Sequence, residues 1–370
     1  MPSDHKTIHR VLDGLLVVGF FCGMLLPPAL HVVRGGDGSG ARMEYRKPAP
    51  PPDLTSWERF PRAFEAYFDD NFALRTELVR WHNYTKLFWL KTSPTSSFVV
   101  GENGWMFYTG ERVIENHVGA LRLQRNELER WQRVLEERAA FCAEHGALYL
   151  FVIVPDKHGI YPEHLPSAYR FPERPTLYEQ FLDHFASRSA FAPLGLKAPL
   201  LAARTSEDHP LYYRLGTHWN DLGAWIGYQS ILERVRQRYP RLGGVGRPDF
   251  VIDSQAKDDN FGSRLMLYDA MPQDIVSRRP LGPVDARLVA ETEAPIRVHV
   301  YERTTRRRRP GLVMFHDSQG DWLEPYLADT FSRSVLVHKG AFDRDLIARE
   351  APGVVIEELG ERRLWRVPRR

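Results

Sequence analysis

The sequence predicts an α/β domain of three layers built on a parallel sheet, carried behind an N-terminal transmembrane anchor. Three observations predict it. Toward the C-terminus, apolar runs of strand length alternate with segments of helical period, joined by short links. The run 147–154 is apolar almost throughout, as a strand covered on both faces must be. At the other end, the 23 residues 11–33 are long enough to cross a bilayer, whose hydrocarbon core takes roughly 20 residues. The 370 residues, at 42.8 kDa and 43% hydrophobic, suffice for a sizeable core and exclude a wholly disordered chain.

The anchor comes first. Residues 11–33 are interrupted only by Asp13 and His31, and Lys6 and Arg10 precede them. A cleaved signal peptide is the rival reading. Pro27, Pro28, Leu30 and His31 occupy the positions where small residues would mark a cleavage site, so a retained anchor is expected, with 1–10 as a cytoplasmic N-terminus. Residues 34–56 follow as a linker, with Gly-Gly-Asp-Gly-Ser-Gly flexible and Lys-Pro-Ala-Pro-Pro-Pro stiff. The remaining residues, 57–370, form the α/β domain.

Within that domain Leu128, Trp131, Leu135, Ala139 and Cys142 recur at helical spacing, and Gly146 stops the helix before the strand 147–154. Asn220 is a favoured N-cap for a helix carrying Leu222, Trp225, Ile226, Leu232 and Val235. Strands at 311–315, 334–337 and 353–356 then enclose helices at 322–331 and 343–349. Such alternation implies right-handed crossovers and a parallel sheet. Chemistry in such sheets gathers at the carboxyl ends of the strands.

That rule selects the candidate site. At the end of 311–315 stands His316-Asp317-Ser318-Gln319-Gly320. A serine there projects from the sheet edge, and the helix after it offers N–H groups to a developing oxyanion. The rival is that Asp317 or Ser318 simply caps that helix. The pattern is not the Gly-x-Ser-x-Gly elbow, which disfavours an α/β-hydrolase. A base for the serine is available in Gly216-Thr217-His218-Trp219-Asn220, where His218 precedes a helix start. Lys157, at the end of strand 147–154, is a candidate for holding substrate or acyl oxygens, or for a structural ion pair. No metal-binding motif occurs, and no metal or other cofactor is expected. Fifty Lys and Arg against 47 Asp and Glu leave +3, too even for a chain whose main partner is nucleic acid. Cys22 and Cys142 are too few for a disulfide scaffold.

These segments, in their order, resemble the AlgJ/AlgX family of SGNH-hydrolase-like polysaccharide O-acetyltransferases. The likeness starts at Phe60-Pro61 and Phe64-Glu65-Ala66-Tyr67-Phe68-Asp69-Asp70-Asn71-Phe72, and continues through Gly101-Glu102-Asn103-Gly104-Trp105 and Pro155-Asp156-Lys157. It closes with Thr217-His218-Trp219-Asn220 and His316-Asp317-Ser318. The resemblance implies an SGNH-hydrolase-like domain in the periplasm, tethered as a single-pass protein of the bacterial inner membrane. It implies an acyltransferase in which Ser318 is the nucleophile and His218 the general base, with Asp317, Lys157 and Asn220 in supporting or substrate-binding roles. The implied partners are a polysaccharide acceptor of the alginate kind and a membrane-bound acyltransferase as acetyl donor.

The chain departs from the family pattern at several places. Gly216 stands where an aspartate two residues before the histidine is usual, His316 where a glycine is usual, and Gln319 where a phenylalanine is usual. The Gly-Asp-Leu segment survives only as Gly262-Ser263-Arg264-Leu265. Either a backbone carbonyl, Asp208 or Asp221 orients His218, or activity is reduced or lost. A carbohydrate esterase and a non-catalytic glycan-binding or assembly factor remain the alternatives. Two basic runs, Arg303 with 306–309 and Arg362, Arg363, Arg366, Arg369 and Arg370, read as solvated loops, or more sharply as a footprint for an anionic glycan or lipid headgroups.

Overall fold

The computed structural model describes residues 3–34, 47–55, 57–170, 174–253, 261–267, 269–279, 285–305 and 309–368. Most of the expected linker and the arginines at 306–308, 369 and 370 lie outside the described residues. The chain divides into two compact units, Met1–Pro94 with Phe261–Met271, and Thr95–Asn260 with Pro272–Arg370. Residues 57–94, grouped by the sequence with the C-terminal domain, fall in the first.

In the first unit, α1 (Ser3–Arg34) contains the apolar stretch His9–His31, with a mean hydropathy of 1.9. Two shorter helices follow, α2 (Phe60–Asn71) and α3 (Arg75–Tyr84). Pro61 sits in the first turn of α2, where a missing N–H costs no helical bond. Asn83 Nδ2 donates to the Leu265 carbonyl at 3.0 Å and Arg80 pairs with Asp269, tying the segment 261–271 to α3.

The second unit is built on a sheet whose central strands bury both faces. Its strands are β3 (Leu148–Val154), β4 (Leu194–Gly195), β7 (Ala286–Thr292), β8 (Val298–Arg303), β9 (Leu312–His316), β10 (Arg333–His338) and β11 (Val354–Gly360), in the order β4-β3-β11-β9-β10-β8-β7. Two antiparallel pairs lie outside it, β1 (Phe98–Val100) with β2 (Met106–Tyr108) and β5 (Asp249–Asp253) with β6 (Ile275–Arg279). Side chains alternate between faces because the strand period is two. Leu150, Val152 and Val154 of β3, Met314 of β9 and Ile356 of β11 pack with Leu222, Tyr228 and Ile231 of α6 (Asp221–Arg236) and Tyr326 of α7 (Glu324–Ala328). Tyr149, Phe151, Ile153, Phe315 and Val355 pack the opposite way. They meet Trp131 and Leu135 of α4 (Arg125–Glu144), Phe181 and Phe185 of α5 (Leu177–Arg188), and Ile347 of α8 (Arg344–Glu350). This is the expected three-layer arrangement.

The sheet is mixed, not wholly parallel. β4, β3, β11, β9 and β10 run parallel, while β8 and β7 are antiparallel to their neighbours. The reason is coverage: a parallel strand needs a helical crossover over it, whereas β7 and β8 are joined by a short link and stay exposed or half-buried. The helix expected over 322–331 is also shorter, a 3-10 turn Gly320–Trp322 running into α7. β10 and β11 flank β9 on opposite sides, so the chain reverses direction across the sheet there, and open α/β sheets bind ligands beyond the carboxyl ends of strands at such a point.

Candidate active site

The end of β9 delivers a tight serine loop. Asp317 Oδ1 accepts the Gln319 N–H at 2.9 Å, and the Asp317 carbonyl accepts the Gly320 N–H at 3.1 Å. From β11, Glu358 accepts the Asp317 N–H at 3.1 Å, while the Gly360 N–H donates to Asp317 Oδ2 at 3.0 Å. Position 320 requires glycine, because a Cβ there would stand 2.5 Å from that of His316. Ser318 occupies the apex of the turn. The N–H groups of Gln319 and Gly320 are spent inside the turn and are not free to serve an oxyanion. Among the described residues no acceptor takes the Ser318 N–H, which leaves it as the backbone donor at the serine.

A second loop delivers His218. Asn220 caps α6, with Oδ1 accepting the Gly223 N–H at 3.1 Å and Nδ2 donating to the Pro210 carbonyl at 2.6 Å. The Tyr213 N–H donates to the His218 carbonyl at 3.1 Å and folds the loop back on itself. Beneath it lies Lys157, 2% exposed. Its Nζ is 2.6 Å from the carbonyl oxygens of Met106 and Gly216, 3.0 Å from that of Tyr213 and 3.1 Å from that of Arg214. The rings of Trp105 and Phe107 flank the ammonium at 5.5 and 4.9 Å. Lys157 is a buried clamp on the histidine loop, which corrects the expectation that it holds acyl oxygens. Asp317 and Asn220 likewise spend their side chains on the backbone.

The two loops meet where His218 Nε2 and Ser318 Oγ stand 2.9 Å apart. With Nε2 accepting the hydroxyl proton, Nδ1 carries the other, and Thr217 Oγ1 lies 3.1 Å from it. Trp322 stacks on the imidazole with ring centroids 4.6 Å apart and planes 25° from parallel. Its Nε1 donates to the Tyr213 hydroxyl at 3.2 Å. Trp219 Nε1 donates to the Gln319 carbonyl at 2.9 Å, bonding the loops to each other directly. The Gly216 carbonyl is on Lys157, and Asp221, a proposed substitute for the usual aspartate, accepts the Arg278 N–H at 2.9 Å. Trp322 and Tyr213 have no place in the sequence-based site, and Thr217 and Gln319 enter it only as neighbours of the histidine and the serine, without a role. Only Trp322 carried a signal, an aromatic one helical turn after the serine.

Behind the serine loop lie the buried carboxyl groups of Asp156, Asp317, Glu358 and Glu361. Burial pushes Asp156 up to about 7, against the pull of Arg362, whose Nη1 is 3.3 Å from its Oδ1. Burial, reinforced by the Asp317 charge, lifts Glu358 well above the ordinary carboxyl range. Arg363 lies 3.5 Å from Asp317 Oδ2, and Arg366 pairs with Glu111 at 2.9 Å. In the described part of the C-terminal basic run, Arg362 and Arg363 are therefore packed onto carboxylates, while Arg366 stays exposed. Arg303 pairs with Asp285 at 2.7 Å, and Arg309 donates to the carbonyls of Gly243 and Thr330. On the other flank His316, Asp321 and His338 approach one another closely enough to share an ion. Arg297 bonds Asp321 and stands 2.8 Å from His338 Nδ1, which is itself 3.0 Å from Asp321 Oδ1, so the three form an ion-pair network. Burial depresses the His316 imidazole to about 4.

A serine at the carboxyl end of a central strand, contacted by a histidine from a separate loop on a three-layer α/β sheet, defines an SGNH-hydrolase-like protein. The chain belongs to the family described as SGNH hydrolase-like domain, acetyltransferase AlgX, whose model matches residues 98–294. That match contains His218 and ends before Ser318. The chain is similar to the probable alginate O-acetylase AlgJ of Pseudomonas syringae pv. tomato, 29% identical over 188 residues, which are 50% of this chain and 45% of that protein. It is also similar to the probable alginate O-acetylase AlgJ of Pseudomonas aeruginosa, 26% identical over 258 residues, 67% of this chain and 56% of that one. The chain thus spans about half the length of these curated relatives. Its fold is shared with Bacillus cereus PatB1, solved with a sulfonyl adduct, at a TM-score of 0.53 and 14% identity over 72% of this chain and 97% of that one.

Proposed function

We propose that this chain transfers acetyl groups to hydroxyls of an extracytoplasmic polysaccharide through an acetyl ester on Ser318. The observation that carries the reading is the 2.9 Å approach of His218 Nε2 to Ser318 Oγ, in a member of an acetyltransferase family. His218 takes the hydroxyl proton as Ser318 Oγ attacks the carbonyl carbon of the donor's acetyl group. The Ser318 N–H, which no acceptor among the described residues takes, is the donor this reading assigns to the oxygen that gains the negative charge. The imidazolium then gives its proton to the leaving group as that bond breaks, and acetyl-Ser318 remains. In the second half a sugar hydroxyl loses its proton to His218 Nε2 while its oxygen attacks the ester carbonyl. Expulsion of Ser318 Oγ completes the transfer, and the serine recovers the proton from His218. The face of Trp322 stabilises the imidazolium in both halves, by roughly 0.5–2 kcal/mol for a cation over indole.

The setting follows from α1, whose length and hydropathy support a retained single-pass anchor in the inner membrane with the catalytic unit in the periplasm. A membrane-bound acyltransferase supplies the acetyl group in this reading. The relatives' naming as alginate O-acetylases supports an alginate-like acceptor. Analysis of the products tests the proposal, using full-length protein in membranes with donor and polysaccharide. Ester-linked acetyl on the polymer, lost in Ser318→Ala, is the expected result. Free acetate without polymer acetylation would make the chain an esterase, and equal acetylation with and without Ser318 would make it a binding or assembly factor.

A further inference from the structure

The first unit carries an apolar surface that the proposed chemistry does not use. Outside α1, six aromatic side chains are exposed among the described residues, and five of them (Trp57, Phe64, Trp81, Tyr84 and Trp89) lie between positions 57 and 89. Three are tryptophans, exposed by 84%, 65% and 73% for Trp57, Trp81 and Trp89. Leu54, Leu78 and Leu90 are exposed beside them in sequence. The concentration is not accidental spacing. Phe60, Phe64, Phe68 and Phe72 recur every four residues, and their rings stack in a ladder along α2 with centroids 5.7, 6.1 and 5.7 Å apart. On α3, Trp81 meets Tyr84 edge-on and Tyr84 meets Phe88 at 4.6 Å. A surface of this kind in water marks an interaction site.

What covers it is indicated by where α1 ends. His31 is the last residue of the apolar stretch, and its ring packs on Tyr67 and Phe68 at 6.4 and 6.0 Å. Its Nδ1 is 3.0 Å from the Asn71 carbonyl. The end of a membrane-spanning helix marks the boundary between hydrocarbon and headgroups, so α2 meets α1 at that boundary. Tryptophan and tyrosine favour that layer, where an apolar ring and a polar N–H or O–H are both solvated. Helices with one apolar face lie in it.

We propose that the aromatic face of α2, α3 and the turn Thr85–Trp89 is seated in the headgroup layer of the bilayer that α1 crosses. The unit is then held at the lipid surface by three elements, the span and two interfacial helices. The inference rests on the reading of α1 as a retained anchor.

The test uses the full chain with Cys22→Ser, since Cys142 is fully buried. Trp89→Cys, and separately Arg125→Cys as an exposed control in the second unit, are labelled with a polarity-sensitive fluorophore. Each is reconstituted into phosphatidylethanolamine–phosphatidylglycerol vesicles and washed with carbonate. We expect the probe at 89 to be quenched by brominated lipid and several-fold less by aqueous iodide than the control. A probe at 89 open to iodide and indifferent to brominated lipid, in protein that survives the wash, overturns the docking and leaves the anchor standing. Protection from iodide without quenching by brominated lipid overturns it in favour of a protein cover. Release of the protein by carbonate removes the anchor, and the docking with it.

Discussion

The histidine loop turns its carbonyls inward, onto the Lys157 ammonium, whereas the serine loop turns its N–H groups inward, onto the carboxylates of Asp317 and Glu358. One loop is organised by a buried cation and the other by buried anions. Each clamp reaches a different neighbour: Lys157 also bonds Met106 of β2, and Asp317 also bonds Gly360 of β11. The comparison teaches that each loop has its own support, and that the Trp219–Gln319 bond and the Trp322–His218 stacking then join the two. It also teaches that the two supports answer differently to mutation and to pH.

The largest expected effect comes from removing the contact itself. His218→Ala should slow acyl transfer by about 10²–10⁴-fold, the usual worth of a general base, while thermal denaturation stays near wild type. Next is the cationic clamp. Lys157→Met leaves buried carbonyls at Met106, Tyr213, Arg214 and Gly216 without their donor, which costs about 1–3 kcal/mol for each group left unpaired. A fall in Tm of more than about 5 °C is expected, with a rate loss of about 10²-fold as the histidine drifts. Retained Tm and rate would show that the loop holds itself.

Trp322→Leu keeps an apolar body beside His218 and removes the aromatic face. kcat should fall by about tenfold at unchanged KM, because the lost attraction acts only when the imidazole is charged. A change confined to KM would reassign Trp322 to acceptor binding.

The smallest effect separates the clamps by pH. Asp156 beside the serine loop is held protonated up to about 7 by burial. Its folded form therefore binds a proton that the unfolded chain releases near pH ~4, so its contribution to stability is complete below that pH and is lost as pH rises through about 7. Melting temperatures of wild type measured against Asp156→Asn should show that difference declining between about pH 4 and 7 and flat below. A constant offset across the range would place the proton elsewhere. His316, depressed to about 4, slopes the opposite way, which is why the comparison with the variant is needed.

Much of this architecture is legible in the sequence, and its limits have physical causes. β3, β9, β10 and the first half of β11 announce themselves because burial on both faces leaves an apolar run, whereas Glu357 and Glu358 hide the rest of β11. Asn220 is readable as a cap since its chemistry is local, and the structure shows its carboxamide on Gly223 three residues on. β7 and β8 pass unread because an exposed edge hairpin carries little apolar signal. Ser318 and His218 are 100 residues apart, and only their places at a strand end and a helix start connect them. Lys157 shows the opposite failure. A lysine at a strand end suggests a ligand for oxygen, and it is one, but the oxygens are the chain's own carbonyls, from segments about 50 to 60 residues away in both directions. Arg362 and Arg363 mislead for the same reason, since their carboxylate partners come from Asp156, Asp317 and Glu111.

The central claim is that the two clamped loops present Ser318 as an acyl acceptor. Exposure of the full chain to an aryl acetate, followed by intact-mass analysis and peptide mapping, addresses it most directly. The account predicts one acetyl group per chain, mapped to Ser318, absent in Ser318→Ala and formed far more slowly in His218→Ala. Acetylation spread over lysines, or an adduct that persists in Ser318→Ala, would contradict it.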